Sequence, residues 1–161
     1  MSLVVSGCAS FADPHRDPSP RPDFSPERFF QGETQGTGEL RVIFSPPQRV
    51  HVRSRGRIEK DGTLVLDQRV EREGEAATLR QWRLRRDESG RYSGTLSEAS
   101  GPVRGELRGG HLYLQYAMKG GLSVEQQLVP DASGLILENR LIVRAFGLPV
   151  ARLEETIRKI R

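Results

Sequence analysis

Cysteine is almost absent from this chain of 161 residues. The single cysteine, Cys8, cannot form an internal disulfide, so no disulfide framework holds the fold together. Long apolar runs are missing as well, and no stretch approaches the roughly 18–20 consecutive apolar residues that a transmembrane helix needs. Hydrophobic residues make up 35% of the chain and charged residues 29%, a balance typical of one soluble domain with a core of ordinary size.

Sequence patterns for catalysis are also missing. The chain has no Gly-x-Ser-x-Gly nucleophile elbow. Its three histidines, His15, His51 and His111, are far apart, whereas a metal site needs several ligands brought together. The run Gly36-Thr37-Gly38 is too short for a phosphate-binding loop. We therefore expect no enzyme activity, no metal and no cofactor.

The net charge of +4 favours contact with anionic surfaces in general but points to no specific partner. A nucleic-acid-binding protein usually carries a block of lysine and arginine interleaved with aromatic residues. Here the arginines are spread through the chain with acidic residues between them. The sequence therefore predicts no nucleic-acid partner.

The N-terminus carries the most specific motif. Val5-Ser6-Gly7-Cys8 resembles a bacterial lipobox, in which small residues precede a cysteine that receives diacylglycerol. Only seven uncharged residues precede Cys8, fewer than a complete signal peptide has. We interpret residues 1–8 as the remnant of a truncated signal and Cys8 as the lipidation site. The alternative is an unmodified thiol near the terminus.

Residues 9–28 are rich in proline. Such a stretch cannot bury a core and favours a semi-rigid polyproline spacer, which predicts a tether between the anchor and one domain over residues 29–161. Ala9 and Ser10 follow the cysteine where an aspartate could stand, and the resemblance to Gram-negative lipoproteins then implies the periplasmic face of the outer membrane. The prolines of the tether are Pro14, Pro18, Pro20, Pro22 and Pro26.

From residue 37 onward the apolar residues alternate with a period of two, which is the pattern of strands. Between residues 50 and 58 the two valines, Ser54, Gly56 and Ile58 share one face, and Asp61-Gly62 then predicts a hairpin turn. About nine such strands follow one another with glycine-rich turns. This spacing predicts an all-β fold, either an antiparallel up-and-down barrel or a strongly curved sheet. The interior is expected to include Trp82, Leu84, Leu112, Leu114, Leu141 and Val143. The residues that share a face with Leu141 and Val143 are Leu135, Leu137, Asn139 and Ala145.

The last segment is ambiguous from periodicity alone. Val150, Leu153, Ile157 and Ile160 fit one stripe of a helix, whereas Leu153 and Ile157 also alternate as in a strand.

Several short motifs occur in a fixed order over roughly residues 27–161. They are Phe30-Gln31-Gly32, Arg80-Gln81-Trp82, Gly90-Arg91-Tyr92-Ser93-Gly94, Gly101 with Gly105, Gly109 with Tyr116, and Asn139-Arg140 with Phe146-Gly147. Together these motifs resemble the bacterial lipoproteins of domain-of-unknown-function family 3833. The resemblance implies a lipocalin-like fold with a lipobox and no established activity, and it implies a strand for residues 150–159.

A group of polar residues falls in phase with the apolar face. Buried charges must be paired or hydrogen-bonded, so one interpretation is an internal ion pair between Arg80 and Glu98, with amides completing its bonds. The other is that Arg80 and the amides bind the carboxylate or phosphate of a ligand inside the barrel, because guanidinium offers a fork of donors. The candidate ligand-binding residues are Gln68, Arg80, Trp82, Glu98, Tyr116, Gln126 and Asn139.

The opposite face carries a basic stripe, which is either a solvated outer wall or a surface for anionic lipid headgroups. Its members are His51, Arg53, Arg55 and Arg57, with Arg83 and Arg85 on a strand nearby.

Two functions remain open. The first is a non-catalytic envelope lipoprotein that is tethered to the membrane and binds or presents a lipid, a fatty acid or another amphipathic ligand in the barrel. The second is a scaffold or interaction lipoprotein with a filled core and no ligand. A lipid binder should contain an apolar cavity of about 300 Å³ or more.

Overall fold

The computed structural model describes residues 24–160. The predicted lipobox with Cys8, and the tether up to residue 23, lie outside the described residues. Ten antiparallel strands form a closed barrel in which each strand pairs with its neighbours in sequence, and the first strand closes the barrel against the last. The all-β barrel predicted from the alternation is thus confirmed. The strands are β1 (Gly32–Val42), β2 (Gln48–Ile58), β3 (Leu64–Arg72), β4 (Thr78–Arg86), β5 (Arg91–Leu96), β6 (Val103–Arg108), β7 (His111–Met118), β8 (Leu122–Pro130), β9 (Ile136–Ala145) and β10 (Leu148–Lys159).

A short helix, α1 (Pro26–Phe30), precedes the barrel. Ser25 is its N-cap and accepts a hydrogen bond from the backbone N–H of Arg28, and Pro26 suits the first turn because it has no N–H to satisfy. Phe29 and Phe30 pack into the barrel core with Leu64 and Leu66. The structured part therefore includes residues 26–28, which the proline content had grouped with the tether.

The core forms where the alternating side chains point inward. Trp82, Leu84, Leu112 and Leu114 are buried, and Leu141 and Val143 are partly buried against the same cluster, as the alternation predicts. Leu135 is the exception. It precedes β9 in the turn after Asp131 and is exposed, because the strand begins only at Ile136.

The ambiguous C-terminal segment is a strand. Residues 148–159 form β10, which pairs with β9 on one side and β1 on the other. Since this strand closes the barrel, its inward residues Leu153, Glu155 and Ile157 complete the interior wall. Gly36 of β1 leaves room for the Glu155 side chain, because a Cβ at position 36 would overlap the Glu155 carboxyl group.

The two ends of the barrel differ. At the helix end, α1 contacts β2 and β3 beside the turns at residues 59–63, 87–90, 109–110 and 131–135. Lys159, at the end of β10, donates to the carbonyls of Arg28, Phe29 and Gln31 at 3.0, 2.8 and 2.6 Å and so fixes α1 to the barrel. The opposite end, called the far end here, consists of the hairpin turns at residues 43–47, 73–77, 97–102, 119–121 and 146–147.

Candidate functional site

A polar row crosses four neighbouring strands on the inner face. Thr34, Ser54, Gln68 and Arg80 lie directly opposite one another in the pairings from β1 to β4. Gln68 joins the row, since its Nε2 donates to the Ser54 hydroxyl at 2.9 Å while its Oε1 accepts from Arg80 Nε at 2.7 Å. The row is therefore a connected hydrogen-bond network from Ser54 to Arg80.

Arg80 is the charged member of this inner row. Its Nη1 lies 3.8 Å from Glu98 Oε2, so the predicted ion pair is present, although it is long. Both side chains remain partly exposed, and Glu98 follows β5 in the turn at the far end. The guanidinium also lies 5.9 Å from the Trp82 ring centroid, and Trp82 Nε1 donates to the same Gln68 oxygen at 2.8 Å. Several partners thus hold Arg80 in position.

A second polar group lies on β8, β9 and β10. Gln126 Nε2 donates to Asn139 Oδ1 at 3.0 Å, and Asn139 Nδ2 donates to Glu155 Oε2 at 2.8 Å. Asn139 and Glu155 are both buried. This arrangement is a chain of amides that ends on a carboxyl group inside the barrel.

Burial dominates the electrostatics of the interior. It raises the pKa of Glu155 above the ordinary value for a carboxyl group, while the hydrogen bond from Asn139 and the charges of Arg80 and His51 act in the opposite direction. Burial also raises the pKa of Tyr116 to about 12. The Tyr116 ring meets Trp82 edge to face with centroids 5.4 Å apart, so both rings belong to the packed core.

Two buried side-chain atoms in the described part of the chain have no hydrogen-bond partner, namely Thr34 Oγ1 and Gln126 Oε1. Gln126 also lines a small internal cavity of about 40 Å³. A buried acceptor without a donor is costly, so such an atom marks a place where a water or a ligand is expected to bind. The polar and aromatic residues around the cavity are Phe30, Gln68, Arg80, Trp82, Gln126, Asn139 and Glu155.

Five of the seven predicted site residues line this cavity. Glu98 is at the far end and reaches the site only through Arg80, while Tyr116 is packed behind Trp82. Glu155 was not among the predicted residues, nor were Thr34 and Ser54. The signal for Glu155 was its phase with Leu153 and Ile157, which becomes informative only once residues 148–159 are known to be a strand.

The predicted basic stripe lies on the outer wall, where acidic side chains neutralise much of it. Arg55 bonds Glu33 at 2.7 Å, and Arg57 bonds Asp67 at 2.7 Å. Arg83, on β4, is paired with Glu59 at 2.6 Å. These pairs favour a solvated wall over a surface for anionic headgroups.

Within residues 24–160 no group of three or more histidine, cysteine, aspartate or glutamate side chains is placed to hold a metal ion. In the same range no helix is both long enough and apolar enough to cross a membrane.

The family follows from the sequence as a whole. Residues 2–159 match the family described as "Protein of unknown function (DUF3833)". The chain belongs to the DUF3833 family. No curated protein matches this sequence.

Solved structures with little sequence identity share this barrel fold. The S-type phycobiliprotein lyase CPES from Guillardia theta has a TM-score of 0.65 at 12% identity, over 86% of this chain and 94% of the lyase. Rv2717c from M. tuberculosis has a TM-score of 0.64 at 16% identity, over 86% of this chain and 100% of its own. A DUF3598-family protein of unknown function from Nostoc punctiforme reaches 0.59 at 12% identity, over 83% of this chain and 48% of its own. The fold is a lipocalin-like barrel.

Proposed function

We propose that this protein is a non-catalytic binding module that takes the polar end of an amphipathic ligand into the barrel interior. The supporting observation is the buried network around the cavity, which ends in an acceptor, Gln126 Oε1, without a donor. A filled scaffold would gain stability by placing apolar side chains at these positions, because unsatisfied polar groups cost about 1–3 kcal/mol each.

The polar atoms of the cavity define the chemistry of the ligand. Gln126 Oε1 accepts a hydrogen bond, and the carboxyl group of Glu155 lies at the end of the same network. An anion has no hydrogen atom to donate, so it would leave Gln126 Oε1 unsatisfied. The preferred polar end is therefore an uncharged donor such as a hydroxyl group or a protonated carboxylic acid.

The size of the cavity limits how much of the ligand it holds. A volume of about 40 Å³ is enough for a hydroxyl group or a water, whereas a whole lipid needs about 300 Å³ or more. The apolar part of the ligand must then extend toward the far end. There the inner side chains of Met118, Leu141, Val143 and Leu153 are only partly buried, and they offer the apolar surface that such a chain would contact.

The N-terminal motif supports a place in the cell envelope for this binding module. Acylation of Cys8 would tether the barrel to the periplasmic face of the outer membrane through the segment between Cys8 and α1. The protein expressed from its full-length gene should sediment with membranes, and Cys8→Ser should release it. A wild-type protein that is already soluble, or a Cys8→Ser protein that still sediments, would reject the lipoprotein assignment.

One observation favours a scaffold as a second candidate. The cavity of about 40 Å³ is far below the size expected of a lipid carrier, and aromatic and aliphatic side chains fill most of the interior. In that case water occupies the cavity and the polar network serves only the fold.

Binding of 1-decanol to the delipidated full chain distinguishes the two functions. Gln126→Leu should weaken binding about three- to tenfold, the range of one lost hydrogen bond. Gln115→Leu, on the outer face of β7, is the matched control and should have no effect. If the parent neither binds decanol nor retains a lipid on purification, as judged by native mass spectrometry, the scaffold is the correct function. If Gln126→Leu binds as well as the parent, the cavity is not the ligand site.

A further inference from the structure

Apolar side chains are concentrated on two neighbouring hairpins of the far end. Phe44, in the turn between β1 and β2, is fully exposed, and Ile43 beside it is 50% exposed. Phe146 and Leu148, in the β9–β10 hairpin, are 93% and 70% exposed. The two hairpins are adjacent because β1 pairs with β10, and the Ile43 N–H donates to the carbonyl of Val150 at 3.0 Å. A patch of this kind marks an interaction surface.

The backbone holds both phenylalanines in an unfavourable conformation. Phe44 has φ 60° and Phe146 has φ 50°, and they are the two non-glycine residues with positive φ within residues 24–160. Glycine or asparagine would adopt this left-handed conformation at lower cost. A large aromatic residue at the tip of each hairpin is therefore not explained by the turn itself, nor by burial.

The turns on this side of the far end, with the strand ends next to them, carry cations but no acidic residues. The three adjacent hairpin regions, residues 41–49, 117–123 and 142–152, contain no aspartate or glutamate. The other two hairpins of the far end are acidic, with Glu73 and Glu75 in one and Glu98 in the other. Arg41 and Arg144 are ion-paired with Glu39 and Glu125, at 2.6 and 3.7 Å. The cations of these regions without an ion pair among the described residues are Arg49, Lys119 and Arg152.

We propose that these three hairpins dock onto the surface of a phospholipid bilayer with anionic headgroups, with Phe44 and Phe146 inserted below the headgroups. Exposed aromatic and aliphatic side chains gain from burial at the headgroup boundary, and the surrounding cations gain from anionic lipids. This surface is separate from the internal cavity, and its function does not depend on acylation of Cys8 or on a ligand in the barrel.

The segment between Cys8 and the barrel is long enough for an anchored chain to touch the membrane with its far end. Residue 24 lies at the helix end, opposite the docking hairpins. The segment of residues 9–23, if fully extended, spans at most about 50 Å. The longest strand, β10, is about 40 Å long. A chain anchored at Cys8 can thus place its far end on the membrane.

The test is sedimentation of the unacylated full chain, as Cys8→Ser, with vesicles of phosphatidylglycerol and phosphatidylcholine. Phe44→Gly combined with Phe146→Gly should lower binding by at least about tenfold per side chain without lowering the melting temperature, because glycine suits both turns. Arg152→Gln should lower binding about fivefold on these vesicles and have no effect on phosphatidylcholine alone. Leu135→Ser, an exposed leucine at the helix end, is the control and should bind as the parent does.

Three outcomes would overturn the proposal. The parent could fail to bind the mixed vesicles, or the double glycine variant could bind as well as the parent. The patch could instead cover a second copy of the chain. Sedimentation equilibrium without lipid would then show a dimer that the double glycine variant abolishes.

Discussion

The two ends of the barrel use the same residue type in opposite ways. At the helix end, Phe29 and Phe30 are buried in the core, and Lys159 of the last strand donates to the carbonyl of Phe29. At the far end, Phe44 and Phe146 extend from hairpin tips into solvent in a strained conformation. The helix end therefore contributes to stability, whereas the far end keeps apolar surface exposed at a cost to stability. Such a cost is expected where a protein binds something.

The largest effect on stability is expected when a phenylalanine is replaced by alanine at the helix end rather than at the far end. Phe30→Ala should lower the free energy of unfolding by about 3–5 kcal/mol, because it removes a buried ring beside the internal cavity. Phe44→Ala should change it by less than about 0.5 kcal/mol, since the ring makes no buried contact. Urea denaturation of both variants measures the difference. Equal losses would contradict the division between the ends.

The next effect concerns the link between the helix and the barrel. Lys159→Met keeps the alkyl stem but removes the ammonium group that bonds three carbonyls around α1. We expect a loss of about 1.5–3 kcal/mol, the range for hydrogen bonds to a charged group. Lys60→Met, in the exposed turn after β2, is the control and should be neutral. A Lys159→Met variant as stable as the parent would show that α1 is held by its phenylalanines alone.

Glu155 makes the interior between the ends sensitive to pH. Its pKa is raised in the fold by burial, so the folded state binds this proton more tightly than the unfolded state. The stabilisation from the protonated form is complete below the unfolded pKa and is lost as pH rises through the folded pKa. Each pH unit in that window changes the free energy of unfolding by up to about 1.4 kcal/mol.

Glu155→Gln should remove this dependence, since glutamine keeps the acceptor for Asn139 and has no proton to lose. Its stability relative to the parent should therefore rise with pH above the unfolded pKa. Thermal unfolding of both proteins across acidic and neutral pH gives the comparison. Parallel pH profiles would mean that Glu155 is not the group responsible.

The smallest loss of stability is expected when an ion pair on the outer wall near the helix end is broken. Arg57 and Asp67 form an ion pair at 2.7 Å, but both side chains are about half exposed. Arg57→Gln should cost less than about 1 kcal/mol, and added salt should reduce the difference further. A larger loss that persists in salt would assign the wall charges a structural role that their exposure does not support.

The strands and their inward faces could be predicted from the sequence because a period of two is a local property of the chain. Arg80 and Gln68 were placed inside from the phase of Trp82 and Leu66, and the structure has them inside. Helix α1 was missed because its few residues lie within a proline-rich stretch. The Ser25-Pro26 pair, a capping residue before a proline suited to a first turn, was the available signal.

Other parts of the candidate site depend on the three-dimensional arrangement. The partner of Asn139 is Glu155 on the closing strand, and that pairing exists only because β10 lies between β9 and β1. The cavity volume follows from how side chains from opposite walls fit together, which alternation does not describe. Phe44 and Phe146 lie in hairpin turns with a positive φ. Phenylalanine is not a residue type that predicts such a conformation, so no signal in the sequence indicated that these two side chains are exposed.

Hydrogen–deuterium exchange of the unacylated full chain tests most directly whether binding occurs at the far end. Exchange would be compared with and without vesicles of phosphatidylglycerol and phosphatidylcholine. Docking of the three far-end hairpins predicts slower exchange in residues 41–49, 117–123 and 142–152, with no change in α1 or in the helix-end turns at 59–63 and 87–90. Slower exchange at the helix end, with the far-end hairpins unchanged, would contradict it.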